Sequence, residues 1–151
     1  MDLGINYALS MVNKQGVELK EFQRKVINAY ASGKDCFCVA PTGSGKSLTF
    51  VLAPFIFDYK LGKLDSIALV VQPLVALMKE QVKKLNEISV PAIYLGDEED
   101  VTCDKLIATK CKIIIGAPES LLQARFTSLM RSLQKNISVL FIDESHCIRT
   151  M

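Results

Sequence analysis

Eight consecutive residues, Ala40-Pro41-Thr42-Gly43-Ser44-Gly45-Lys46-Ser47, combine two glycines, a lysine and a hydroxyl at the spacing of a phosphate-binding loop. Gly43 and Gly45 let the backbone turn tightly, so that successive amide N–H groups, including those around Thr42 and Ser44, point at phosphate oxygens. The positive end of the following helix stands behind them. Lys46 would bridge the terminal phosphates, and the Ser47 hydroxyl would help hold magnesium. Far along the chain, Asp143-Glu144-Ser145-His146 follows the apolar run Val139-Leu140-Phe141-Ile142. An acid in that position lies at the C-terminal edge of a sheet, where ligands of open α/β sheets bind. Asp143 can hold magnesium directly or through water, and Glu144 can orient or deprotonate the water that attacks a γ-phosphate. His146 is the single histidine and has no evident companions as a metal ligand. Standing three residues after Asp143, it suggests a link from the nucleotide site to a neighbouring domain. Read blandly, the same residues are a Gly-rich turn and a surface acid pair; the apolar segment before each favours nucleotide chemistry.

The elements that position these groups follow from apolar spacing. Phe22, Val26, Ile27, Tyr30 and Ala31 recur at helical intervals over residues 19–32, with Gly33 as the stop. Residues 36–40 read as a short buried strand. After the loop, a helix is expected from Lys46 to about Ala53, with Pro54 ending or kinking it. Residues 67–71 form a second buried strand, 74–88 an amphipathic helix, and 90–95 a third strand. Residues 113–115, 119–133 and 138–142 continue as strand, helix and strand. Asp97, Glu98, Glu99, Asp100 and Asp104 mark residues 96–104 as a solvated acidic loop. Apolar strands separated by helices indicate an α/β fold with a parallel sheet covered by helices on both faces.

At 151 residues and 50% hydrophobic, the chain can bury the core of one domain of ordinary size. The longest apolar or near-neutral run, residues 48–57, is about half of what a membrane span needs. Neither a secretory signal nor an Arg-rich transit peptide is apparent, so an intracellular setting without a membrane is expected. Cys36, Cys38, Cys103, Cys111 and Cys147 are an odd set without a Cys-x-x-Cys pair, which argues for reduced thiols rather than disulfides or zinc. A net charge of +2 announces no nucleic-acid partner by itself.

The blocks together resemble a superfamily 2 helicase, and most closely the RecQ family of DNA helicases. Gln23, 23 residues before Lys46, matches the glutamine that reads adenine in that family. The loop resembles motif I, and Val70-Val71-Gln72-Pro73-Leu74-Val75-Ala76-Leu77-Met78-Lys79-Glu80-Gln81-Val82 resembles motif Ia, the block most diagnostic of RecQ. Ala117-Pro118-Glu119 looks like the short motif after the next strand, and Asp143-Glu144-Ser145-His146-Cys147-Ile148 like motif II. The resemblance implies a RecA-like P-loop domain that binds ATP and magnesium, with Lys20 and Gln23 on the adenine side. It implies contacts from Pro73, Leu74, Ala117, Pro118 and Glu119 to the backbone of single-stranded or partly duplex DNA, 3′ to 5′ movement, and a nuclear site in a eukaryote. Gly16 stands where the family has an aromatic residue, Lys20 where it usually has arginine, and Ser145 where motif II usually has alanine.

On this reading residues 1–17 are a helical lead-in and 18–151 a first RecA-like domain, incomplete at its C-terminus. The second RecA-like domain and its arginine finger are missing from the chain. The isolated chain is expected to be a poor ATPase without unwinding. A non-catalytic nucleotide- or DNA-binding module is the alternative, and a small phosphotransferase a third.

Overall fold

Ile5, Ala8, Leu9 and Val12 are all buried and fall at helical spacing, so helix α1 (Asp2–Met11) presents one apolar stripe, carried into the turn that follows. The computed structural model describes residues 2–34, 45–72, 75–96 and 103–142, which divide into two units, Met1–Leu64 and Asp65–Met151. The strand expected over 36–40 lies outside the described residues.

The first unit is helical. Helix α2 (Glu21–Ala31) buries Gln23, Val26, Ile27, Tyr30 and Ala31, as its periodicity requires. It stops where Gly33 takes a positive φ of 77°, and the Gly33 and Lys34 amides donate to the carbonyls of Tyr30 and Ala29. Both α1 and α2 pack against helix α3 (Lys46–Leu61). Of the two outcomes expected at Pro54, an end or a kink, the end does not occur: α3 runs past the expected limit near Ala53 and stops before Gly62, at φ 65°. A proline inside a helix costs about 3 kcal/mol. Phe50, Val51, Leu52, Phe55 and Ile56 on either side of it are all buried, each worth about 1.5–3 kcal/mol relative to exposure. Burial therefore outweighs the lost hydrogen bond. The Lys60 ammonium donates to the Ala31 carbonyl, tying the far ends of α2 and α3.

The second unit is a four-stranded, fully parallel sheet of order β2-β3-β1-β4, built from β1 (Ile67–Val71), β2 (Ala92–Leu95), β3 (Ile113–Gly116) and β4 (Ile137–Ile142). Helix α4 (Val75–Glu87) joins β1 to β2. Its Asn86 side chain donates to the Ala92 carbonyl and accepts from the Ala92 amide, so β2 opens at Ala92, after Pro91. Lys79 of α4 lies over the Tyr94 ring at 5.6 Å, which puts α4 on Tyr94's face of the sheet. The opposite face carries Ile67, Leu95 and Ile114. These pack with Leu106 from helix α5 (Cys103–Ala108) and with Phe126, Leu129 and Leu133 from helix α7 (Ala124–Ser132) and its end. The sheet thus carries helices on both faces, and the chain has the α/β, RecA-like class expected of it.

Two departures concern helices. The single helix expected over 119–133 is broken into α6 (Pro118–Leu121) and α7 by an extended Gln123 at φ −68°, ψ 139°. Leu122, Phe126, Leu129 and Leu133 would share one stripe of a continuous helix. The break leaves Leu122 83% exposed and turns Leu121 onto the core instead. Within the expected acidic loop, α5 begins at Cys103, with Asp104 exposed in its first turn. Residues 97–102 lie outside the described residues.

Candidate nucleotide-binding site

Gly45 ends the glycine-rich loop at the foot of α3, with φ 89° and ψ 18°, a left-handed conformation that side chains rarely adopt. Lys46 and Ser47 open the helix there, Lys46 partly buried and Ser47 exposed. The first turn contains no acidic residue and Gly45 offers no side-chain cap. The amides at this end of a 16-residue helix therefore face a site suited to an anion. Thr49 does not compete for them, since its hydroxyl donates to the Lys46 carbonyl at 2.6 Å.

Gln23 holds this foot in place. Its side chain is 4% exposed; Oε1 accepts from the Lys20 amide and Nε2 donates to the Gly45 carbonyl, both at 2.8 Å. A buried carboxamide with an unmade bond would cost about 1–3 kcal/mol, so these two bonds fix the amide's orientation. A Cβ on Gly45 would come within 2.8 Å of Gln23 Nε2, and within 3.9 Å of Lys20 Nζ. Glycine is therefore required at position 45 by both backbone and neighbour. One turn further on, the buried Tyr30 hydroxyl donates to the Thr49 carbonyl at 3.0 Å, and burial pushes the phenol's pKa well above its ordinary value. The resemblance to the helicase motifs pointed to Gln23, whereas the Tyr30 bond has no signal in the sequence.

Of the residues singled out from the sequence, Lys20, Gln23, Gly45, Lys46 and Ser47 are brought together here. Thr42, Gly43, Ser44, Pro73, Leu74, Asp143, Glu144 and His146 lie outside the described residues. In the sheet unit, β4 ends at Ile142, one residue before Asp143, and Val71 pairs with both Gly116 and Ile142. Ala117 is 1% exposed and extended, and leads into α6 with Pro118 at the first helical position; Pro118 and Glu119 are exposed. Beside them stands a residue that sequence reasoning passed over. Gln72 is 1% exposed, and neither atom of its carboxamide has a hydrogen-bond partner among the described residues. Cys111 is a free, buried thiol, pushed up to about 12 by burial, with the Ile113 backbone bond and Lys112 opposing that rise.

A family profile described as DEAD/DEAH box helicase matches residues 20–151. The chain belongs to the DEAD/DEAH box helicase family. Within this helicase family its relatives are of RecQ type. It is 33% identical over 144 residues to an ATP-dependent DNA helicase Q-like SIM of Arabidopsis thaliana, covering 90% of this chain and 15% of the relative. It is 32% identical over 131 residues to the ATP-dependent DNA helicase RecQ of Haemophilus influenzae, covering 83% and 20%. It is 32% identical over 148 residues to the ATP-dependent DNA helicase hus2/rqh1 of Schizosaccharomyces pombe, covering 89% and 11%. The helicase sequence described here thus spans a fifth or less of the length of these three relatives.

Proposed function

We propose that this chain is the ATP-binding lobe of a RecQ-type, ATP-dependent DNA helicase, the first RecA-like domain of a motor. The observation that carries the reading is the foot of α3, where a left-handed Gly45 is tied through Gln23 to Lys20. The helix end, Lys46 and Ser47 are suited to the phosphates of a nucleotide, and the family resemblance assigns Lys20 and Gln23 to the adenine side. The named activity of the relatives, ATP-dependent DNA helicase, supports the choice of ATP.

The mechanism follows from the residues. Lys46 binds the terminal phosphates and, with the amides at the head of α3, orients the γ-phosphate. Ser47 and Asp143 would hold magnesium, and Glu144 would position the attacking water. Charge neutralisation on the β- and γ-phosphate oxygens is what a bound magnesium ion supplies. His146 carries the state of the site toward a neighbouring domain. Pro73, Leu74 and residues 117–119 contact the backbone of single-stranded or partly duplex DNA, where contacts position without reading sequence. Burial of the Ala117 side chain leaves its backbone as the contacting group. A second RecA-like domain, supplied elsewhere in such a motor, completes the cleft with an arginine finger, which contributes about 10³ to 10⁵ in rate. An intracellular setting, nuclear in a eukaryote, goes with this reading; among the described residues no helix is long and apolar enough to cross a membrane.

The test is ATP turnover by the 151-residue chain with and without single-stranded DNA, alongside Lys46→Ala. The expected result is ATP binding that depends on Lys46, with very slow hydrolysis and no strand separation. Rapid DNA-stimulated turnover by the isolated chain would contradict the assignment of half a catalytic site. Phosphate transfer to a small acceptor without DNA would contradict the helicase reading altogether.

A further inference from the structure

Tyr30 is a buried side chain that the mechanism above leaves unused, and it touches α3 at two separate places. Its hydroxyl donates to the Thr49 carbonyl at 3.0 Å. Its ring lies against that of Phe57, with centroids 5.8 Å apart and planes 27° from parallel. Between the two contacts stands Pro54. Thr49 belongs to the turn that opens at Lys46, whereas Phe57 belongs to the length of helix beyond the proline.

Pro54 has no N–H to donate back to the preceding turn, and its ring crowds the carbonyl four residues before it. The head of α3, which carries Lys46 and Ser47, is therefore joined to the rest of the helix by fewer backbone bonds than an unbroken helix provides. The apolar residues on either side of Pro54 keep the helix continuous by burial. Burial is non-directional, so it does not by itself fix the head's tilt or rotation. Hydrogen bonds do. Two of them come from α2, Gln23 to the Gly45 carbonyl and Tyr30 to the Thr49 carbonyl, and the Thr49 hydroxyl bond to the Lys46 carbonyl closes the turn between. Tyr30 and Thr49 are both buried, so water does not stand in for their bond.

We propose that Tyr30 is a positioning residue for Lys46, a brace laid across Pro54. Its ring rests on the body of α3 while its hydroxyl holds the head, so the segment bearing Lys46 keeps one orientation despite the proline. Phenylalanine would fill the same space without a donor, which makes the hydroxyl the group that matters. Tyr30 acts only through the backbone of Thr49 and touches no ligand. The inference rests on the nucleotide-site reading above and adds to it a residue of α2 that stands outside every motif block in the sequence.

The experiment titrates the 151-residue chain with a fluorescent ATP analogue in excess magnesium, using the wild type, Tyr30→Phe, Lys46→Ala and the double variant, each shown by its melting curve to be folded. Tyr30→Phe keeps the ring and is expected to weaken binding about two- to tenfold, the range set by one buried hydrogen bond. In the Lys46→Ala background the same change is expected to alter affinity by less than about twofold, because the group it positions is gone. Pro54→Ala restores the backbone donor, and in that background Tyr30→Phe should likewise lose its effect on affinity. Unchanged affinity in Tyr30→Phe, with a lowered melting temperature, would overturn the proposal and leave the hydroxyl as a structural bond alone. The same loss with and without Lys46, or with and without Pro54, would overturn it as well. Absence of any Lys46-dependent binding by the wild type is a different result, and would overturn the nucleotide-site reading itself.

Discussion

The helical unit and the sheet unit treat their buried polar groups in opposite ways. Around α3 the donors and acceptors are matched within the protein: Gln23 to Lys20 and Gly45, Tyr30 to Thr49, Lys60 to Ala31. At the C-terminal end of β1, a carboxamide buried to the same degree is left unmatched among the described residues. The first arrangement holds the backbone at the head of α3 through bonds made within the protein; if the proposed phosphate site lies there, binding costs little ordering. The second leaves a buried amide's hydrogen-bonding capacity unused among the described residues.

Substitutions can break the comparison, and the largest effect is expected at Lys46. Lys46→Ala removes the charged contact to phosphate and should weaken ATP binding about tenfold to a hundredfold, the scale of a hydrogen bond to a charged group. Calorimetry would measure it. Gln23→Ala comes next. It leaves the Lys20 amide and the Gly45 carbonyl unpaired, and should lower stability by about 1–3 kcal/mol in urea unfolding. Gln72→Leu removes a comparable amide from the other unit and should be neutral or stabilising in the same assay. Equal destabilisation by the two substitutions would erase the contrast between the units. Tyr30→Phe should cost about 0.5–1.5 kcal/mol, the net worth of one buried hydrogen bond.

At neutral pH no effect of the buried thiol and phenol is expected, and theirs emerges only in alkali. Burial raises the pKa of Cys111 to about 12 and that of Tyr30 above its usual value, so the folded protein keeps protons that the unfolded chain releases. The unfolded state then binds fewer protons, and stability falls as pH rises. For Cys111 the contribution is intact below the unfolded thiol's pKa of about 8.5 and is lost as pH climbs from there toward 12. Cys111→Ala should flatten part of that slope, read from melting temperatures between neutral and strongly alkaline pH.

Much of this was legible before the fold was seen, for identifiable reasons. The run 67–71 is apolar at every position, and β1 spans those same residues. The stripe from Phe22 to Ala31 gave α2, since an amphipathic period has one interpretation. Pro54 misled because propensity is local, whereas the burial of Phe50, Val51, Leu52, Phe55 and Ile56 that carries α3 past it is tertiary. The break between α6 and α7 was hidden for a related reason: Leu121 and Leu122 are alike, and only packing decides which faces the core. Loop chemistry at Gly45 could be read directly, and Gln23 came from the family resemblance. The bonds joining them could not, because a glutamine's partners depend on how α2 and α3 meet. Gln72 went unremarked for the complementary reason, since within an apolar block a single amide carries no periodic signal.

The most direct test of the account is an ATP titration of the 151-residue chain by calorimetry, repeated with Lys46→Ala and with Gln23→Ala. A site at the foot of α3 predicts saturable one-to-one binding by the wild type, weakened by both substitutions. ATP affinity unchanged in both variants would place any nucleotide elsewhere and contradict the account.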